Sequence, residues 1–211
     1  MRIAKIQLNH QHFELHPYRA VYWVEEDTLL IADLKVVEKE PNKKLSSVSI
    51  QAIERKYSRL YELTAYFHPR AVCFLGEAAC QDHNFEWVRL QIYRKKFPDT
   101  EMVVINDSRI ADEKLNGISL MQSLLIEPFF ISHKPMPTLN GTVNICGYTN
   151  PGFKVNSKNA VFRKRACFLS SLNRLTLPAF DTCASLNFIT PADNDTVYTI
   201  LEQNVRKYRK S

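Results

Sequence analysis

Five apolar segments of this sequence end in polar groups that could bind a metal ion or a phosphate. In chain order they read IADLK, FLGEAAC, VINDS, ISHKP and CGYTNP. In α/β proteins, ligands bind at the carboxyl ends of strands, so carboxylate, amide and imidazole groups in these positions predict one shared site. Such groups are the ligands of metal-dependent hydrolases. One residue does not fit that chemistry, because Lys35 stands where a histidine would be expected after Asp33.

The order of these segments resembles the signature of the calcineurin-like metallophosphoesterases. That signature runs D-x-H, G-D, G-N-H-D, a lone histidine and G-H-x-H, and this sequence reads DLK, GE, INDS, His133 and GYTN. Within the family, the chain is most similar to the bacterial ligase-associated DNA damage response endonucleases. This likeness rests on the first strands, HPRAVCFLGE and RLTLPAF, and covers roughly residues 3 to 190.

The resemblance implies a fold and a set of site residues. The implied fold is α/β, a four-layer α/β/β/α sandwich of two mixed sheets flanked by helices, in one domain over residues 1–211 with a basic tail from about 204. The implied metal ligands are Asp33, Glu77, Asn106 and His133. Asp107 stands at the position of the catalytic histidine, and the other family histidines are replaced by Lys35, Tyr148 and Asn150.

These replacements weaken the predicted metal centre. A protonated lysine has no lone pair and repels a divalent cation, so Lys35 is expected to pair with Asp33 and Glu77 in place of the first ion. Glu77, Asn106 and His133 could still hold one Mn, Zn or Mg ion weakly. The expected cofactor is therefore none or one divalent metal, and a dimetal centre is not expected.

Three functions follow from this reading. The first is a catalytically impaired phosphoesterase that serves as a nucleic-acid- or protein-binding module, with DNA repair implied by the resemblance. The alternative is a phosphodiesterase or endonuclease that uses the single remaining metal position, where Asp107 would need a raised pKa to donate a proton. The third is an α/β protein whose strand-end polar groups only cap turns.

The charge of the chain favours an anionic partner. The net charge is +6 and the pI is near 9.0, which points to nucleic acid before other partners. Arg163, Lys164 and Arg165 are the predicted phosphate contacts, although alternation along a strand lets only part of this set face one ligand. The expected partners are DNA or another phosphate-bearing ligand and DNA-repair proteins, and the resemblance allows a homodimer.

No membrane partner is expected. The sequence has no uninterrupted apolar run approaching the roughly 18 residues of a membrane span. The first residues, MRIAKIQLNHQHFEL, carry charges and histidines where a signal peptide needs apolar residues. These features predict a cytoplasmic protein.

The elements that must position the site alternate between strand and helix in the first half. Short strands fill the first 34 residues, and apolar spacing predicts helices over about 44–67 and over 84–97, before Pro98. The second half reads as five strands from FFISHKP to SLNFITP, followed by a C-terminal helix over DNDTVYTILEQNVRKY. His10, His12 and His16 are predicted to be surface histidines.

Overall fold

The computed structural model describes residues 1–34, 47–76, 85–107, 113–115, 117–138, 141–155 and 163–208. In these ranges the chain forms 17 strands and two helices. The strands build two mixed β-sheets that pack face to face, which confirms the predicted α/β sandwich.

The first sheet has eight strands, and its centre is parallel. Its strand order is β1-β2-β3-β4-β5-β6-β8-β7, with β4, β5, β6 and β8 running parallel to one another. The strands are β1 (Ala4–Leu8), β2 (Gln11–His16), β3 (Ala20–Trp23), β4 (Thr28–Ala32), β5 (Ala71–Leu75), β6 (Glu101–Ile105), β7 (Glu113–Leu115) and β8 (Ile118–Met121).

The second sheet has nine strands and is also mixed. Strands β10, β11 and β14 are parallel neighbours, and β13 pairs antiparallel with β12, β14 and β16. The strands are β9 (Leu124–Ile126), β10 (Phe129–Ile131), β11 (Val143–Cys146), β12 (Pro151–Val155), β13 (Arg163–Ser171), β14 (Arg174–Thr176), β15 (Asn187–Phe188), β16 (Thr196–Leu201) and β17 (Asn204–Lys207).

Both helices of the described ranges cover the outer face of the first sheet. They are α1 (Ser47–Phe67) and α2 (Phe85–Lys96), close to their predicted bounds. Ile53, Tyr57 and Leu60 recur at helical spacing on α1 and are buried against the sheet. Neither helix has the length and apolar character that crossing a membrane requires.

Strand β4 shows why the central strands read as nearly continuous apolar runs. Leu29 and Ile31 point into the core shared with the helices, whereas Leu30 and Ala32 point into the core between the two sheets. All four are fully buried. A strand buried on both faces loses the alternation of a half-exposed strand and reads as a continuous apolar run.

The two sheets meet closely at the carboxyl end of β4. Ala32 forms a parallel bridge with Ala179, and the Phe180 amide donates to the Ala32 carbonyl at 2.7 Å. Gly147 follows β11 on the facing sheet, and a Cβ there would lie 2.3 Å from the Ala32 Cβ. The absence of a side chain at Gly147 therefore permits this close approach.

The predicted C-terminal helix is wrong. Residues 196–207 form the hairpin of β16 and β17, and β16 pairs with β13 in the second sheet. Five of the six residues in TVYTIL are β-branched or aromatic, and pairing with β13 realises their preference for strands. The loop expected after β6 also contains the short strands β7, β8 and β9, and β12 was not expected as a separate strand.

The prediction for the early histidines is wrong for His16. His10 and His12 are exposed, and His12 pairs with Glu25 at 2.6 Å, whereas His16 is only 1 % exposed. The Tyr18 amide donates to His16 Nδ1 at 3.1 Å, and the aromatic rings of Tyr18 and Phe67 lie edge-on against the imidazole. Burial in this setting lowers the pKa of His16 to about 4.

Acid is expected to destabilise the protein through His16. In the unfolded chain His16 takes up a proton below its ordinary pKa of 6.5, whereas the buried imidazole stays neutral until about pH 4. The stabilisation is therefore complete above pH 6.5, and about 3 kcal/mol is lost as the pH falls from 7 to 4. His16→Asn offers an oxygen to the Tyr18 amide without titrating. Urea denaturation at both pH values should show a smaller loss in this variant, and equal losses would contradict the assignment.

Candidate functional site

The ends of five strands come together at one edge of the sandwich, as the sequence predicts. Asp33 follows β4, Gly76 follows β5 and Asn106 follows β6 on the first sheet, and His133 and Tyr148 follow β10 and β11 on the second. Backbone hydrogen bonds join these ends, because the Asp33 amide donates to the Leu75 carbonyl at 2.8 Å and the Tyr148 amide donates to the His133 carbonyl at 3.0 Å. The parallel register thus holds the polar groups beside each other.

Asp33 and His133 form the centre of the site. His133 Nε2 lies 2.8 Å from Asp33 Oδ1, and the two side chains are 13 % and 15 % exposed. Asp33 adopts a left-handed backbone conformation with φ of 46°, which aspartate tolerates better than most residues. A partly buried contact between a carboxylate and an imidazole fixes the orientation of the ring.

Asp107 clamps the loop that carries His133. Its Oδ1 accepts a hydrogen bond from the His133 amide at 3.1 Å, and its Oδ2 accepts one from the Lys134 amide at 2.7 Å. Asp107 Oδ2 also lies 4.0 Å from His133 Nδ1. Both carboxylate oxygens therefore act on this loop, and the imidazole lies between the carboxylates of Asp33 and Asp107.

Asn150 holds a different loop in place. It is 5 % exposed and left-handed with φ of 43°. Its Oδ1 accepts from the Ala179 amide at 2.9 Å, and its Nδ2 donates to the Ser185 carbonyl at 2.6 Å. Both ends of the amide are thus used to attach residues 179–185 to the turn between β11 and β12.

Tyr148 presents an aromatic ring to solvent beside His133. The residue is 56 % exposed, and its ring stands edge-on to the imidazole at 5.3 Å with an interplanar angle of 81°. Lys134 Nζ lies over the same ring, 5.5 Å from its centroid. Tyr148 therefore combines an exposed ring with a neighbouring positive charge.

The described residues do not supply a convergent set of metal ligands. Within these ranges, no three His, Cys, Asp or Glu side chains are arranged to hold an ion. Asp33 and Asp107 approach opposite nitrogens of the His133 ring, so the three groups do not point at one centre. The side-chain amide of Asn150 is bonded to backbone at both ends.

Two predicted site residues, Lys35 and Glu77, lie outside the described residues, so the expected pairing of Lys35 with Asp33 and Glu77 stays a prediction.

The predicted basic contacts separate onto two faces of β13. Lys164 is exposed, and its Nζ lies 4.6 Å from the centroid of the Phe188 ring. The neighbouring residues Arg163 and Arg165 point to the opposite face by strand alternation, and Arg165 pairs in register with Phe153. Of the three, Lys164 is therefore the one that shares a face with Phe188.

Sequence reasoning missed three residues that lie beside these groups. They are Lys134, Lys154 and Phe188, and each takes part in a contact between a lysine and an aromatic ring. Lys134 directly follows the predicted site residue His133 in the segment ISHKP, so the sequence could have indicated it. Lys154 and Phe188 meet Lys164 only through the register of β15, β12 and β13, which their positions in the chain do not indicate.

Neither a protein-family model nor a curated protein matches this sequence. Among solved structures, the fold is similar to that of the nuclease MPE from Pseudomonas putida. The two share 22 % sequence identity with a TM-score of 0.78, and the match covers 98 % of this chain and 100 % of the nuclease. At this identity the likeness concerns the fold alone, an α/β sandwich that the two proteins share over almost the whole chain.

Proposed function

We propose that this chain is a nucleic-acid-binding protein built on a metallophosphoesterase-like fold whose hydrolytic centre is impaired. The observation that carries the proposal is the hydrogen bonding at the strand ends. Asp33 contacts His133, both oxygens of Asp107 accept backbone amides, and both ends of the Asn150 side chain bond to backbone. Positions that the resemblance assigns to metal binding and catalysis thus hold the protein together.

The chemistry of the replaced residues supports the same conclusion. Two-metal hydrolysis requires both ions to activate water and to clamp the phosphate. The described donors do not converge on an ion, and Asp107 serves the loop of His133 and Lys134. The arrangement of these described residues therefore supports no metal-dependent catalytic step. The nuclease-like fold and the net charge of +6 support nucleic acid as the ligand.

One observation favours a second function, a phosphodiesterase or endonuclease with a single metal ion. Asp33 Oδ1 and His133 Nε2 lie 2.8 Å apart, a separation at which both atoms could also bind the same ion. Glu77 and Asn106 would complete the set that the resemblance implies. The cofactor would then be one Mn, Zn or Mg ion.

Metal content and cleavage together decide between the two functions. The protein would be dialysed against millimolar manganese, freed of unbound ion and analysed by elemental mass spectrometry. Labelled single-stranded and duplex DNA would then be incubated with the wild type and with His133→Ala. The proposal expects far less than one ion per chain, binding of DNA and no metal-dependent cleavage. One ion per chain with cleavage that His133→Ala abolishes would overturn it in favour of the single-metal enzyme.

The remaining parts of the proposal concern partners. DNA-repair proteins and a second copy of the chain are the partners that the resemblance implies. Light scattering after size-exclusion chromatography tests the homodimer, and a monomer at all concentrations would remove it from the proposal.

A further inference from the structure

An exposed strip of aromatic rings and lysines leads away from the candidate site along the second sheet. Phe188 is 42 % exposed, and the Nζ atoms of Lys154 and Lys164 lie 5.6 and 4.6 Å from its ring centroid. Tyr148 is 56 % exposed, with Lys134 Nζ at 5.5 Å. Two solvent-accessible rings therefore each carry ammonium groups at cation–π distance.

Strand register places the members of the strip around Phe188 on one face. Lys154 pairs with Lys164, and Phe188 pairs with Gly152, two residues before Lys154. Paired residues and residues two apart point to the same side of a sheet, so all three side chains share a face. Ala166 lies on this same face and is buried in the core between the sheets. The strip thus continues the inner face of the second sheet beyond the core.

The strip is continuous with the candidate site. The Asn187 amide donates to the Asn150 carbonyl at 3.1 Å, and Asn187 Nδ2 donates to the Thr149 carbonyl at 2.8 Å. Phe188 is therefore attached to the loop that carries Tyr148. Along β12, the four steps from Asn150 to Lys154 span about 13 Å, a length that a few nucleotides cover.

We infer that this strip binds single-stranded nucleic acid, with bases stacked on Phe188 and Tyr148 and phosphates held by Lys134, Lys154 and Lys164. An aromatic ring stacks on any unpaired base, and lysines beside it neutralise the backbone without reading sequence. A duplex offers no unstacked base to such rings, so the strip favours single strands. This inference rests on the proposed nucleic-acid-binding function and specifies its ligand.

Fluorescence anisotropy with a labelled oligonucleotide of about 12 nucleotides tests the ring. Phe188→Leu is expected to weaken binding of the single strand roughly tenfold, and Phe188→Tyr is expected to restore it. Leu172→Ala is the matched control, because Leu172 is 80 % exposed in the turn that follows β13. Oligonucleotides of the same sequence in DNA and in RNA show which of the two the strip prefers. Stacking is the same for both, so a difference in affinity would come from contacts to the sugar.

The lysines are tested through salt dependence. Lys154→Gln and Lys164→Gln are each expected to reduce the slope of log Kd against log salt by about 0.7. Lys95→Gln on the exposed side of α2 should leave it unchanged.

The outcomes separate the two proposals. If Phe188→Leu binds single strands as tightly as the wild type does, the strip is not the site and the proposed function stands. The same conclusion follows if the wild type binds duplex more tightly than single strands and Phe188→Leu leaves the affinity for duplex unchanged. If the wild type binds neither single strands nor duplex, the proposed function fails and the inference fails with it.

Discussion

Phe129→Ala is expected to lower the free energy of unfolding by about 3–5 kcal/mol. Phe129 is fully buried between the sheets and packs edge-on against two other buried rings, Phe13 at 5.2 Å and Trp23 at 4.8 Å. The alanine would remove both contacts and leave a cavity that rigid strands cannot close. The edge-to-face geometry adds a favourable term beyond the buried area.

The cavity left by Phe129→Ala is also expected to disturb the candidate site, because Phe129 begins β10 and His133 follows the end of that strand. Urea denaturation followed by tryptophan fluorescence measures the change, since Trp23 lies within the same cluster. Leu125→Ala is the control, because Leu125 lies opposite Phe130 on β9 and is 58 % exposed. It should change stability by less than about 0.5 kcal/mol. A loss below about 1 kcal/mol for Phe129→Ala would show that the three rings do not form a cooperative core.

The central sheet was predictable because burial on both faces leaves a simple signal. Strand β5 is apolar throughout, β4 is apolar after Thr28, and a carboxylate follows each strand in the sequence. Both the strands and the shared edge of their carboxyl ends therefore follow from the sequence. The same argument brings Asp33 and His133 to one edge. Their 2.8 Å contact did not follow, because it depends on how closely the two sheets approach at Gly147.

The C-terminal hairpin was missed because its residues carry two competing signals. Residues 196–207 contain polar and charged groups at intervals that also suit a helix, and Asp193 and Asp195 suggest a cap. Asp195 instead accepts a hydrogen bond from the Ala192 amide, and Glu202 turns the chain with φ of 55°. Pairing with β13 decided the outcome, and tertiary pairing of this kind is not encoded in the segment itself.

The roles of Asp107 and Asn150 were also beyond the sequence. Both are residue types that bind metals, and both also bond readily to backbone. Whether such a residue binds a metal or the backbone depends on whether backbone amides or carbonyls lie within hydrogen-bond distance. Here those partners belong to residues 133, 134, 179 and 185. The lysines around Phe188 raise the same difficulty, because the sheet register alone makes them neighbours.

Gly76→Ala is expected to destabilise the protein by about 4 kcal/mol and to separate Asp33 from His133. Gly76 has φ of +103°, which side chains rarely adopt. A Cβ would also lie 2.6 Å from Asp33 Oδ1 and 2.7 Å from His133 Nε2, so it would meet both partners of the central contact. The Gly76 amide donates to the Ile105 carbonyl at 2.7 Å, which keeps the backbone from moving away without losing that bond.

Gly141→Ala separates backbone strain from collision. Gly141 has a similar φ of +85°, but nothing lies within 4 Å of a Cβ built there. Its alanine variant should lose only the strain contribution, about 1 to 2 kcal/mol. Chemical denaturation of both variants gives the difference, which we attribute to the crowding of Asp33, Gly76 and His133. Equal losses in the two variants would mean that Asp33 and His133 move apart freely, and the hydrogen-bonded centre on which the proposed function depends would then be too loose to exclude a metal ion.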